Sequence, residues 1–355
     1  MYPKVRWSKQ KLVHNVHELM GLCEKESVTC SIVTKGFSAN ETLVETLLES
    51  GVTHVSDARL DNIERIRSIA PDVHTQLIRL PPMSDLDRVI AYVDRCPVTS
   101  IDVAQALNER AMQAGTIQDV YVFVEMGDRR EGILPEELLP FVRQLLTFSS
   151  LRLVGIATNL TCYGGIIPKE ETMEAFVRIA EDVEQRLGMT LDVLSGGSSS
   201  AIPLVLDGEL PDRINELRLG EVYLFGREAA YGERVPGFAN DIFTLEAEVV
   251  EVMKKPSLPE GETGGRTFGH CDIVYEDLGD RWRALLAVGA QDVDFTGIRP
   301  HDERLTMLAT CSDYLIVDVT EMDDVSVGDI VSFDVTYEAL LQLSTSSYVT
   351  FEQSE

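Results

Sequence analysis

Lysine is scarce in this chain: 8 of its 31 cationic residues are lysines, set against 59 acidic residues, for a formal net charge of −28. So large an acidic excess argues against a nucleic acid partner, because that binding depends on Lys and Arg neutralising phosphates. It favours solubility and would draw cationic substrates toward a site, and an acidic, lysine-poor surface equally fits a salt-adapted host. No run of 18 apolar residues occurs, so no membrane span is expected. The opening Met1-Tyr2-Pro3-Lys4 does not begin a signal peptide. The six cysteines (Cys23, Cys30, Cys96, Cys162, Cys271 and Cys311) form no CxxC and no metal-ligand spacing, which fits a reducing cytoplasm better than a disulfide framework. His54, His74, His270 and His301 also lack metal spacing and read as surface or packing residues, while His14 and His17 sit on the first helical pattern, exposed. There is no metal site, nucleophilic triad, Rossmann fingerprint, internal repeat or low-complexity tract.

What is present is a long alternation. At 355 residues and 44% hydrophobic content the chain suits one large domain and a smaller one. Strand patterns fall at Val28–Thr34, Thr53–Ser56, Val73–Ile78, Thr99–Asp102, Val120–Val124, Leu151–Thr158, Asp192–Leu194 and Glu216–Leu219. Helical patterns lie between them, at Asn40–Ser50, Asp61–Ile69, Met83–Val93, Ala104–Ala114, Pro135–Leu146 and Lys169–Leu187. Eight βα units in about 200 residues predict a TIM-type (β/α)8 barrel, with an open doubly wound sheet as the alternative. After Phe238 the pattern becomes β-rich, with strands at Thr244–Met253, Arg283–Val288, Tyr314–Val319 and Ile330–Phe333 and a loop at Lys255–Gly265. The expectation is a barrel over 1–238, whose first strand packs with the following β domain, and a smaller all-β domain over 239–355.

Lys35 closes the apolar run Val28–Thr34, at the strand end where barrels place their chemistry. A desolvated lysine amine there can form a Schiff base with an aldehyde cofactor; the plainer reading is a surface lysine. Ser195-Gly196-Gly197-Ser198-Ser199-Ser200-Ala201 follows the seventh strand pattern, where glycines and hydroxyls suit a phosphate. Arg218-Leu219-Gly220-Glu221 ends the eighth. An arginine beside a cofactor ring would leave a ring nitrogen unprotonated; otherwise Arg218 is an ion-pair partner of Glu216 or Glu221.

Lys35, the Ser-rich loop and the Arg-Leu-Gly segment together resemble the alanine racemase group of fold-type III pyridoxal-phosphate (PLP) enzymes. Val124-Glu125-Met126-Gly127-Asp128-Arg129-Arg130-Glu131-Gly132, Arg152–Asn159, Ser312–Thr320 with Val327-Gly328-Asp329, and Tyr337–Leu341 extend the resemblance over both halves. Asn159-Leu160-Thr161-Cys162-Tyr163-Gly164, Gly226–Glu233 and Lys255–Pro259 are most similar to the ornithine racemases of that group. The resemblance implies PLP as cofactor, carried by Lys35, which also serves as one catalytic base. Ser198, Ser199, Gly220 and Glu221 would hold the phosphate, Asn159 would lie beside the cofactor, Arg218 would face the pyridine nitrogen, and Arg130 would position the substrate carboxylate or the opposing base. It implies racemisation of ornithine or other basic amino acids by loss and return of the α-proton, in a homodimer with composite active sites. Alanine or broad-specificity racemisation and non-catalytic PLP binding are the alternatives.

The chain also departs from the group. No tyrosine follows Lys35 in Gly36-Phe37-Ser38-Ala39-Asn40, Asn159 replaces a usual histidine, and Phe123 a usual lysine. The group's catalytic tyrosine is matched by Ala290 in Val288–Asp294, and alanine cannot transfer a proton. Racemisation needs proton delivery on both faces of the α-carbon. Asp292 is the leading candidate for the second base, with Asp294, Ser312, Asp313 and Tyr231 behind it; Asp292 also reads as a turn aspartate bonded to its own backbone. Asp292 and Asp294 would alternatively bind the distal ammonium of a diamino acid, and Asp294, Ser312 and Asp313 are expected to touch substrate.

Overall fold

The structure, a computed structural model, describes residues 2–262 and 276–354. His270, Cys271 and the end of the expected Lys255–Gly265 loop lie outside the described residues. The chain forms two compact units, Leu12–Asn240 and Met1–Lys11 with Asp241–Glu355. No helix among the described residues is long and apolar enough to cross a membrane.

The chain begins with strand β1 (Lys4–Ser8) and helix α1 (Lys9–Lys25). Then come β2 (Thr29–Val33), α2 (Glu41–Glu49), β3 (His54–Asp57), α3 (Leu60–Ile69), β4 (His74–Leu77), α4 (Leu86–Tyr92), β5 (Arg95–Val98), α5 (Ile101–Ala114), β6 (Gln118–Phe123), α6 (Pro135–Leu145), β7 (Leu151–Ala157), α7 (Glu170–Leu187), β8 (Val193–Ser195), α8 (Ile202–Asp207), β9 (Glu216–Leu219) and α9 (Glu221–Phe225). Strands β2 to β9 close into a parallel barrel. The closing seam pairs β9 with β2, Arg218 opposite Ser31. Closure settles the choice the sequence left open, in favour of the barrel over the open sheet.

Short apolar strands buried on both faces make the barrel wall, and the helices lay their apolar stripes on it, as with Leu138, Val142 and Leu145 of α6. Asn40 caps α2 by accepting from Leu43 N at 3.4 Å. The fourth barrel strand departs from expectation. The sequence pattern places a strand at Thr99–Asp102, but the strand is Arg95–Val98 and Ile101 already belongs to α5. A buried arginine and a proline at Pro97 break the apolar, β-branched signal. Arg95 is tolerated inside the barrel because it donates to Gln76 Oε1 at 2.8 Å and pairs with Glu216.

The second unit carries β10 (Phe243–Pro256), β11 (Asp280–Leu286), β12 (Ile298–Pro300), β13 (Thr306–Thr310), β14 (Leu315–Asp318), β15 (Ile330–Val335), α10 (Tyr337–Thr345) and β16 (Thr350–Ser354). The sheet runs β12-β15-β10-β11-β14-β13, and β1 joins it between β10 and β16. Its core is Leu245, Ala247, Val249, Ala284, Leu286, Val317 and Phe333. Strand β10 runs through Lys255 and Pro256, two residues expected in a loop. The short strands β12, β13 and β16 have no counterpart in the sequence pattern.

Candidate active site

The carboxyl-terminal mouth of the barrel gathers the polar side chains. Lys35 is half-buried and opens a single 3-10 turn, Lys35–Phe37, just past the end of β2. Phe37 is fully buried and anchors that turn. Tyr223 Oη donates to Val33 O at 2.9 Å, fixing the strand end from the side.

Arg218, on β9 and 4% exposed, points among the barrel strands. Its guanidinium donates to Thr158 O at 2.7 Å and to Ser195 Oγ, and its central carbon lies 5.5 Å from the centroid of the Phe123 ring. That cation–π contact contributes on the order of 0.5–2 kcal/mol. Phe123, at the position where the resembled group usually has a lysine, thus packs its ring against Arg218. The alternative ion pairs are not made by Arg218: Glu216 pairs with Arg95, and Glu221 with Arg227.

Ser199 begins a 3-10 turn, and its Oγ accepts from Gly220 N at 3.3 Å and Val222 N at 3.2 Å. The hydroxyl proton remains able to donate outward. Ser198 Oγ lies 3.2 Å from Ser200 Oγ and accepts from its N. The loops after β6 and β7 are stitched together by buried Asp128, whose carboxylate accepts from Tyr163 N and Gly164 N, both at 3.0 Å. Arg130 lies on the first of these loops, ion-paired with Glu131. Asn159 lies on the second, its Nδ2 3.1 Å from Cys162 Sγ.

Lys35, Arg130, Asn159, Ser198, Ser199, Arg218, Gly220 and Glu221 therefore share the carboxyl-terminal side of one barrel. Thr158 and Asp57, buried at strand ends like Ser195 of the Ser-rich segment, carry no role in the sequence reading; a polar residue closing a barrel strand is the signal that marks them. Thr158 Oγ1 is buried with no hydrogen-bond partner.

The remaining candidates lie in the other unit. Asp292 is buried; Oδ2 accepts from Gly289 N at 3.2 Å and Oδ1 from Ser346 Oγ at 2.7 Å. Asp294 caps a 3-10 turn, Oδ1 accepting from Thr296 N at 2.9 Å. Ser312 donates to Asp313, which also accepts from Gln291 Nε2 at 2.7 Å. Ala290 N donates to Cys311 O at 2.8 Å, so Asp292, Ser312 and Asp313 share two adjoining loops. Tyr231 belongs to the barrel unit and is 61% exposed. Among the described residues no group of three or more His, Cys, Asp or Glu is placed to hold a metal ion.

Residues 8–228 match the family described as "Alanine racemase, N-terminal domain". The ornithine racemase of Acetoanaerobium sticklandii is 38% identical over 99% of both chains. The lysine racemase of Thermotoga maritima is 32% identical over 98% of both. The solved alanine racemase from Bartonella henselae with covalently bound pyridoxal phosphate superposes with a TM-score of 0.76 over 100% of both chains at 15% identity.

Proposed function

The chain belongs to the alanine racemase family, and from that premise we propose that it is a PLP-dependent amino acid racemase that interconverts L- and D-ornithine. The observation that carries the reading is the donor set around one barrel mouth. Lys35 offers an amine to an aldehyde. Ser199, its oxygen held by the amides of Gly220 and Val222, offers its hydroxyl proton to a phosphate. Arg218 offers N–H groups to an acceptor nitrogen. The unpartnered, buried Thr158 Oγ1 beside Arg218 is a further polar group in the same neighbourhood. These residues fit pyridoxal phosphate. Bound there, the cofactor would supply the electron sink that makes an amino acid's α-hydrogen acidic.

The chain's own residues do the rest. The Lys35 amine holds and returns a proton on one face of the α-carbon. A guanidinium offers only N–H donors, so an acceptor nitrogen facing Arg218 stays unprotonated. Ser195, Thr158 and Phe123 hold that guanidinium still. Arg130 lends positive charge toward a substrate carboxylate, moderated by Glu131. For the second face, the buried, backbone-engaged carboxylate of Asp292 supports the turn-aspartate reading, and Asp313, which also accepts two hydrogen bonds but is exposed, becomes the more accessible proton carrier of that loop pair. We infer a homodimer with composite sites, in keeping with the family resemblance. Asp294 remains our candidate for the distal ammonium of a diamino acid. The five described cysteines are all free, which supports a reducing, cytoplasmic setting.

The test is α-proton exchange. Protein supplied with PLP is incubated in D2O with L-ornithine, L-lysine or L-alanine, and optical rotation and α-deuterium are followed. Inversion with deuterium at Cα, fastest for ornithine, is expected. Cofactor attached at Lys35 with no exchange from any amino acid would replace the racemase reading with non-catalytic PLP binding.

A further inference from the structure

The turn that presents Lys35 is held against backbone strain. Ser38 (φ 49°) and Ala39 (φ 47°) are two consecutive non-glycine residues in the left-handed region. Such conformations are strained and persist only where the surroundings over-determine them. Two residues outside the turn do this. Asp57, at the end of the adjacent strand β3 and wholly buried, accepts from Thr34 Oγ1 at 2.6 Å, and Thr34 immediately precedes Lys35. Thr34 N also donates to Ser56 O at 3.0 Å, in register with β3. On the far side, Arg65 of α3 donates to Ser38 O at 2.6 Å and reaches Ala39 O at 3.5 Å.

Asp57 is itself built in. Its other oxygen accepts from Arg59 N at 2.8 Å and Asn62 Nδ2 at 3.0 Å. Thr34, Arg59 and Asn62 are all donors toward it, the set an ionised carboxylate requires. Burial pushes its pKa up, and the bonds from Thr34, Arg59 and Asn62 pull against that. The carboxylate also sits before the first turn of α3, where the helix dipole favours negative charge. Asp57 thereby ties α3, which carries Arg65, to the strand end that carries Lys35.

We infer that Asp57, acting through Thr34, and Arg65 are positioning residues for Lys35, fixing where its amine stands at the barrel mouth. The inference rests on the reading of Lys35 as cofactor carrier and proton carrier. The hydroxyl of Thr34 is the joint: a methyl in its place leaves the volume but removes the bond. A displacement of about 1 Å at a reacting group can cost about 100-fold in rate.

The experiment compares Thr34→Val, Asp57→Asn and Arg65→Ala with wild type, and Thr34→Ser as the rescue. Two quantities are read: the rate at which apoprotein takes up PLP covalently, with the attachment fixed by borohydride and located at Lys35 by peptide mass, and kcat against KM for ornithine α-proton exchange. Thr34→Val and Asp57→Asn are expected to slow uptake and kcat about tenfold or more with KM nearly unchanged, and Thr34→Ser to restore both. If Asp57→Asn does not fold, Thr34→Val carries the test. Wild-type uptake and kcat in Thr34→Val and Arg65→Ala, with only a lowered melting temperature, would make the clamp structural and overturn the inference. A wild type that loads PLP yet exchanges no substrate removes the racemase reading alone, and uptake rates then decide the positioning claim. A wild type that takes up no cofactor at Lys35 overturns both.

Discussion

Asp292 holds two hydrogen bonds inside its own unit, one from the backbone of Gly289 and one from the hydroxyl of Ser346, 54 residues away in the chain. Removing a buried acceptor strands its donors, at a cost of about 1–3 kcal/mol. Asp292→Ala is therefore expected to lower thermal stability measurably, while the folded variant keeps its ornithine exchange rate within about threefold, less than the effect of removing a proton-transfer group. Solvent exchange lost for one ornithine enantiomer only, at an unchanged melting temperature, would return Asp292 to the chemistry. The sequence offered both readings because a turn aspartate and a proton carrier look alike in one dimension. Spacing could not separate them, since Ser346 enters only through the fold. The same limit hid Asp57 and Thr158. Asp57 matters through Thr34, 23 residues earlier, and Thr158 through Arg218, 60 residues later. The placement of Lys35, Ser199 and Arg218 at the barrel mouth was legible because each closes or follows a strand that its own local pattern announces.

Among the elements, the barrel strands with β-branched runs, β2 and β7 above all, could be placed from sequence. Strand β5 could not, because Arg95 carries its charge into the barrel wall, and Gln76 on the neighbouring strand with Glu216, 121 residues later, makes that tolerable. This polar base of the barrel has a pH signature. His54 and His74 pack in a tilted ring contact at the starts of β3 and β4, centroids 4.9 Å apart. Burial chiefly lowers both histidines' pKa values; Arg95 lowers them further, Glu216 opposes for both, and Asp94 opposes for His74. A base with a lowered folded-state pKa takes up its proton more readily in the unfolded chain. Stability is thus fully present above the ordinary histidine value of 6.5 and declines as pH falls below it toward the lowered folded values. Melting temperature should drop between about pH 7 and pH 5.5, and His54→Phe/His74→Phe should flatten that part of the profile. An identical slope in the double variant would assign the acid sensitivity to other groups.

For the whole molecule, the net charge of −28 admits two causes that make opposite demands on salt. If the acidic surface steers a cationic amino acid toward the barrel mouth, the effect acts over distance and is screened, because the Debye length shrinks from about 14 Å at 0.05 M to about 4 Å at 0.5 M ionic strength. Then kcat/KM for ornithine falls across that range while the value for zwitterionic alanine changes little. If the surface instead reflects adaptation to salt, screening relieves self-repulsion and the melting temperature climbs with salt, with no difference between substrates. Measuring both substrates and the melting curve on one salt series separates the two. A fall in kcat/KM confined to the cationic substrate would tie the acidic composition, seen in the bare sequence, to the substrate class that the barrel mouth and its relatives suggest. Parallel salt curves for ornithine and alanine would break that link and leave specificity to the few side chains that meet the distal ammonium, Asp294 first among them.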